Sequence, residues 1–143
     1  MVATRFAVAI HILLLLACRQ RSGPATSHLI AESVNTNPVV VRRITGQLGR
    51  AGLVRVRRGP GGAELVRSPD LITLCDVWRA MNPGKASPML PLHAFPNLDC
   101  PVGRDVHAVL GCAFASVEQA MQTAMQGTTL AGLVASMQAK AAS

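Results

Sequence analysis

The chain has 143 residues, half of them hydrophobic, a net charge of +7, four Cys, one Trp and no Tyr. That size and apolar content suit one cored domain with an appended helical arm. So few aromatics give poor support for a stacking platform for single-stranded bases, and seven acids with no Ser–His–acid or paired-carboxylate arrangement give no reason to expect an enzyme.

The charge is unevenly placed. Through Ser68 ten Arg face two acids, Glu32 and Glu64, whereas from Pro69 onward four bases face five acids. The first half is built to meet a polyanion, and the second has another task.

Phe6–Ala17 is almost wholly apolar, follows Arg5 and ends Leu15-Leu16-Ala17-Cys18. Two readings are open. One is the buried first helix of a DNA-binding domain. The other is a secretory segment cleaved before Cys18, giving an exported lipid-anchored protein. His11 in the middle of the run and a single preceding charge weigh against export. The run is shorter than the ~20 residues that span a bilayer. Four Cys without a small disulfide framework fit a reducing cytoplasm, so a cytoplasmic protein without a membrane partner is expected.

Arg19–Pro24 is a polar loop ending in a helix stopper. Thr26 or Ser27 then caps a short helix with Leu29, Ile30 and Val34 on its inner face. Asn35-Thr36-Asn37 is a turn, and Asn37-Pro38 is an N-cap followed by Pro at the first helical position. In the helix it starts, Val41, Ile44 and Leu48 face the core, leaving Val39, Arg42, Arg43 and Gln47 on or near the outer side. Gly46 and Gly49 weaken this helix, and nothing local explains them.

Gly52 stops that helix. Leu53–Arg57 starts a strand, Arg58-Gly59-Pro60-Gly61-Gly62 forms a hairpin tip, and Glu64–Arg67 returns. The order is a helix-turn-helix followed by a wing. Five arginines (Arg42, Arg43, Arg55, Arg57 and Arg58) line its second helix and hairpin, which suits the phosphates and grooves of double-stranded DNA.

Thr73–Met81 is a short helix with Leu74, Val77, Trp78 and Met81 on one side, and Asn82–Asn97, with four prolines, is a loop. From Pro101 to Gln126 runs a long helix whose apolar stripe (Val102, Val106, Val109, Leu110, Ala113, Val117, Ala120, Met121, Ala124) exceeds what one small core needs. It suggests the seam of a homodimer. Thr128 or Thr129 caps a last helix with Leu130, Leu133, Val134 and Met137 inside. The fold expected is mainly α with a small β-hairpin wing. Its parts are a winged helix-turn-helix DNA-binding domain over 1–82, a Pro-rich connecting loop over 83–98, and a helical dimerisation and candidate sensor region over 99–143.

The stretch Ser27-His28-Leu29-Ile30-Ala31-Glu32-Ser33-Val34-Asn35-Thr36-Asn37-Pro38-Val39-Val40-Val41-Arg42-Arg43 resembles the bacterial Rrf-two family of winged helix-turn-helix transcriptional regulators. So do Ala51-Gly52-Leu53-Val54, the Gly59–Gly62 tip and Ile72-Thr73-Leu74-Cys75-Asp76-Val77-Trp78. Asn97-Leu98-Asp99-Cys100-Pro101-Val102-Gly103 is similar to a subgroup lacking the iron–sulfur cysteine triad. The resemblance implies a cytoplasmic homodimer that binds palindromic promoter DNA and usually represses. It implies that Ser27 and Asn37–Arg43 lie in or over the major groove, and Arg58–Gly62 at the wing. The candidate DNA contacts are Ser27, Asn37, Val39, Arg42, Arg43, Gln47, Arg57, Arg58, Gly59, Gly61 and Gly62. Ala63-Glu64 departs from the family pattern, and an outward Glu64 would repel phosphate.

For sensing, Cys100 and Cys112 fall at the first and third places of an iron–sulfur triad, but Val106 stands at the second. Twelve helical residues span ~18 Å, so the two thiols cannot converge within one chain. No cluster is expected, and His93, His107 and these Cys match no zinc spacing. Cys100, just before Pro101, reads as the N-cap of the long helix. There the dipole favours thiolate, Arg104 would assist and Asp99 would oppose. Cys100 with Arg104 is therefore a candidate redox sensor, against the plainer reading of a small capping residue. Cys18, Cys75 and Cys112 are expected to pack in apolar faces.

Overall fold

A computed structural model describes residues 2–58, 61–84 and 88–142. The chain forms two compact units, one of Met1–Pro83 with Met125–Ser143 and one of Gly84–Ala124. The last helix thus belongs with the N-terminal domain, so the region expected over 99–143 is divided between the two.

In the first unit, helix α1 (Val2–Cys18) gives Ala9, Ile12, Leu13 and Leu16 to the core. Those are residues that cleavage before Cys18 would remove, so the apolar run is a core helix and the export reading loses its support. His11 is explained by position: its Nε2 lies 2.9 Å from Ser33 Oγ, where α1 meets the next helix.

That helix, α2 (Ser27–Val34), is capped by Thr26, whose Oγ1 accepts the Leu29 N–H at 3.2 Å. It ends on Asn35 in the left-handed conformation (φ 66°). Helix α3 (Pro38–Arg50) starts from Asn37, whose Oδ1 accepts the Val40 N–H at 3.0 Å, with Pro38 next in line. Val41, Ile44 and Leu48 are buried, as their spacing predicts.

The wing is an antiparallel pair, β1 (Val54–Arg57) and β2 (Gly62–Leu65), with Arg55 opposite Glu64 and Val56 opposite Ala63. Ala63 also exchanges backbone hydrogen bonds with Ala25 at 2.8 and 2.9 Å, which ties the hairpin to the segment leading into α2. Gly62 is required by this junction: its φ is +75°, and a Cβ there would run into the Ala25 carbonyl.

Helix α4 (Leu74–Met81) opens with a capping box in which Thr73 Oγ1 accepts the Asp76 N–H and Asp76 accepts the Thr73 N–H, at 3.1 and 3.0 Å. Trp78 meets Phe6 of α1 edge-on, ring centroids 5.2 Å apart. A final helix in this unit, Leu130–Ala142, is pinned at its start by Leu130 N–H to the Ile72 carbonyl (2.8 Å), and Thr129 Oγ1 accepts the Gly132 N–H. Of the four residues expected inside, Leu130 is buried, Leu133 and Val134 are half-buried and Met137 is exposed. The helix is fixed to the core at its first turn, and Met137, further along it, edges an apolar groove on α1.

The second unit is dominated by the long helix α5 (Pro101–Gln126), while the Leu130–Ala142 helix of the first unit is α6. None of the α5 residues is buried. The preceding loop is fastened to it by Leu90 N–H donating to Glu118 Oε1 (2.8 Å) and by His107 Nε2 against the His93 carbonyl (2.7 Å). Val102, Val109, Val117 and Met121 stand exposed along α5.

Candidate nucleic-acid interface

The start of α2, the outer flank of α3 and the wing enclose a recess of about 450 Å3. It brings together Ser27, Arg42, Arg57 and Gly62 of the expected contacts, and adds Thr26, His28, Thr45 and Val56. Capping dictates this arrangement. Thr26 satisfies the Leu29 N–H, so Ser27 and His28 occupy the first turn, where amide N–H groups lack intrahelical acceptors and the dipole is positive. Thr45 is buried but satisfied, its hydroxyl lying 2.9 Å from the Val41 carbonyl and 3.2 Å from that of Arg42. A buried threonine mid-helix gives no local sign that it borders a recess, whereas His28 is marked by its place beside Ser27 in the first turn of α2.

Val39 is 57% exposed on the first turn of α3, and Arg42 and Arg43 are exposed beside it. Asn37 is spent as a cap. Gln47 lies on the opposite flank of the helix from the recess, its Oε1 accepting from the Arg5 guanidinium. Arg58 is exposed and Gly61 packs over Arg57, while Gly59 lies outside the described residues.

Glu64 does not stand alone at the wing. Its Oε1 accepts from Arg57 at 3.0 Å and lies 3.7 Å from Arg55, the residue opposite it in the ladder. One carboxylate is thus shared by two wing arginines. Such exposed pairs add little stability, but they reduce the positive charge offered by the hairpin.

At the start of α5, the Arg104 N–H donates to the Cys100 carbonyl at 2.9 Å, which makes Cys100 the residue from which the helix begins. The backbone N–H groups of Gly103 and Val102 donate to the exposed Cys100 sulfur and hold its pKa below the ordinary thiol range. These backbone donors are the cause of the shift. The preceding turn is held by Asn97, whose Oδ1 accepts the Asp99 N–H and whose carbonyl accepts the Cys100 N–H. Gly103 lies so close to the Asn97 carbonyl that a Cβ has no room. Cys75 is buried as expected, but Cys18 and Cys112 are exposed. Each sits on an outward face of its helix: Cys18 at the rim of the α1 groove, and Cys112 on α5, where no residue is fully buried.

The family model for Rrf2, iron-dependent transcriptional regulator, matches residues 2–136. The iron in that description does not find a cysteine triad here. Cys100 and Cys112 lie twelve residues apart along α5, ~18 Å by helical rise, with Val106 between them, and Cys75 is buried in the other unit. The residues present do not fit a thiolate-held cluster within one chain. YwnA of Bacillus subtilis (strain 168), named for an HTH-type transcriptional regulator, is 40% identical over 130 residues, covering 91% of this chain and 94% of its own. A crystal structure described as a DNA-binding protein superposes with a TM-score of 0.69 at 36% identity, covering 90% of this chain and 97% of that one. CymR (YrzC), the global cysteine regulator of B. subtilis, shares the fold with a TM-score of 0.66 at 23% identity, covering 92% and 94%. By the extent of these matches, the chain belongs to the Rrf2 family of winged-helix, DNA-binding transcriptional regulators, which are not enzymes.

Proposed function

We propose that the protein is a cytoplasmic repressor that binds palindromic promoter DNA as a homodimer. In this reading residues 1–82 form the reading head, α3 enters the major groove with Val39, Arg42 and Arg43, and the wing rests on the backbone beside it. Residues 101–126 join the two copies. The observation that carries the reading is the basic recess: Arg42 and Arg57 face it from two elements, and the open first turn of α2 supplies a third anion-seeking wall.

Binding to a promoter fragment and to random duplex, titrated with salt, tests it. Arg43→Ala weakens specific binding by about 1–3 kcal/mol if the guanidinium reads a base. If it meets only phosphate, all sequences weaken alike and the salt slope falls by about one unit. Unchanged binding removes Arg43 from the interface.

Release of DNA is controlled, in the same proposal, by the Cys100 thiol. Its thiolate attacks one oxygen of hydrogen peroxide, the O–O bond breaks, the sulfur is oxidised to a sulfenic acid, and the hydroxide that leaves takes a proton from solvent to become water. The lowered pKa and full exposure of this thiol support that role.

A further inference from the structure

The flank of α3 opposite the recess carries a second concavity of about 440 Å3, walled by Gln47, Arg50, Arg67, Asp76 and Arg79. Three elements contribute to it: the last turns of α3, the segment leaving the wing, and α4. Five residues separate Arg42 from Gln47, a rotation that moves a side chain to the far side of a helix. The two concavities therefore lie on either side of α3.

Its chemistry is one-sided. Asp76 is the acid in the wall, and its carboxylate is already engaged, accepting the Thr73 N–H at 3.0 Å in the cap of α4 and lying 3.6 Å from Arg67. Gln47 accepts from Arg5 through its Oε1, so its remaining polar group is a donor. Three guanidiniums and an amide NH2 border the space, against one carboxylate. The other lining residues are apolar, including the buried Leu53 and Ala80. A ligand matching this wall is rich in acceptors, carries two or three negative charges and has a short carbon skeleton. We infer that this concavity is an effector site for a small organic polycarboxylate.

Occupancy would add negative charge beside α3 and draw Arg50 and Arg79 onto the ligand. Both effects oppose a phosphate backbone approaching the same helix, so the effector weakens DNA binding. That coupling rests on α3 being the helix that reads DNA; the site itself does not.

Citrate is the probe, compared with sodium chloride at equal ionic strength, on the full chain. The melting temperature of the wild type rises with citrate concentration, as linkage requires of a ligand that prefers the folded state. The shift persists in Arg21→Gln, which removes an exposed charge elsewhere, and is lost in Arg79→Gln. On duplex DNA, citrate lowers wild-type affinity about tenfold, within the usual range for coupled sites, and leaves Arg79→Gln unaffected. A citrate-specific shift without DNA binding by any variant retains the anion site and discards the DNA reading. The proposal is overturned if citrate stabilises Arg79→Gln as much as the wild type, or does no more than chloride. It is equally overturned if Arg79→Gln alone weakens all duplexes and lowers the salt slope by about one unit, because the concavity is then a DNA backbone contact.

Discussion

Glu64 governs how much charge the wing can offer. Its carboxylate sits between Arg55 and Arg57, so each arginine approaches a phosphate already partly neutralised. Glu64→Gln keeps the shape and removes the charge. Duplex affinity should rise, and the slope of log K against log salt should steepen by up to about one unit. Stability should hardly change, because both arginines are more than half exposed. A salt titration by fluorescence anisotropy reads the first effect and a thermal melt the second. A second residue-scale consequence follows from Cys100. Backbone N–H groups favour its thiolate, so its folded-state pKa is depressed. The stabilisation this brings is present at high pH and fades as pH falls through the folded-state value. Alkylation follows the thiolate fraction of the folded state. Iodoacetamide, mapped by peptide mass, should modify Cys100 at a pH below the ordinary thiol range, where its thiolate already forms. Cys100→Ser should hold DNA under peroxide at which the wild type lets go.

At the scale of elements, the helices announce themselves where capping is local. Asn37-Pro38 opens α3, Thr73 with Asp76 opens α4, and Pro101 opens a helix that runs to Gln126, all within reach of neighbouring residues in sequence. What was not legible depends on partners distant along the chain. Ala25 meets Ala63, Arg5 meets Gln47 forty-two residues away, and Glu64 finds its arginines only once the hairpin register is set. Nothing in the local pattern of Gln47 distinguishes an outward contact from a side chain bound to α1. The two glycines of α3 are resolved in part. A Cβ at Gly46 would meet only the Arg50 guanidinium at 3.7 Å, so close packing does not require glycine there. Gly46→Ala should therefore raise stability by about 1 kcal/mol through helix propensity. Chemical denaturation measures this. If the same variant binds DNA less well, the missing side chain at position 46 is needed for backbone approach to the duplex rather than for the fold.

For the whole molecule, the question is what covers α5. A helix of 26 residues with no buried position, displaying Val102 at 72% and Val109 at 66% exposure, leaves apolar surface in water that burial would stabilise by roughly 25 cal/mol per Å2. A second copy of the same helix is the partner the homodimer reading supplies, and a two-fold pair presents two reading heads to the two halves of a palindrome. Charges placed in that seam separate the two claims. Val109→Asp with Val117→Asp puts four carboxylates into a dimer interface but leaves the first unit, with α1 to α4 and α6, untouched. Sedimentation should then give a monomer of 15.0 kDa that melts cooperatively. Its affinity for a full palindrome should fall to that for a single half-site, while its weak, salt-sensitive attraction to random duplex remains. If the doubly substituted chain still sediments as a dimer, the seam lies elsewhere and α5 has another partner. If it is monomeric yet binds the palindrome as tightly as the wild type, dimerisation is irrelevant to recognition, and one winged domain carries the whole of it.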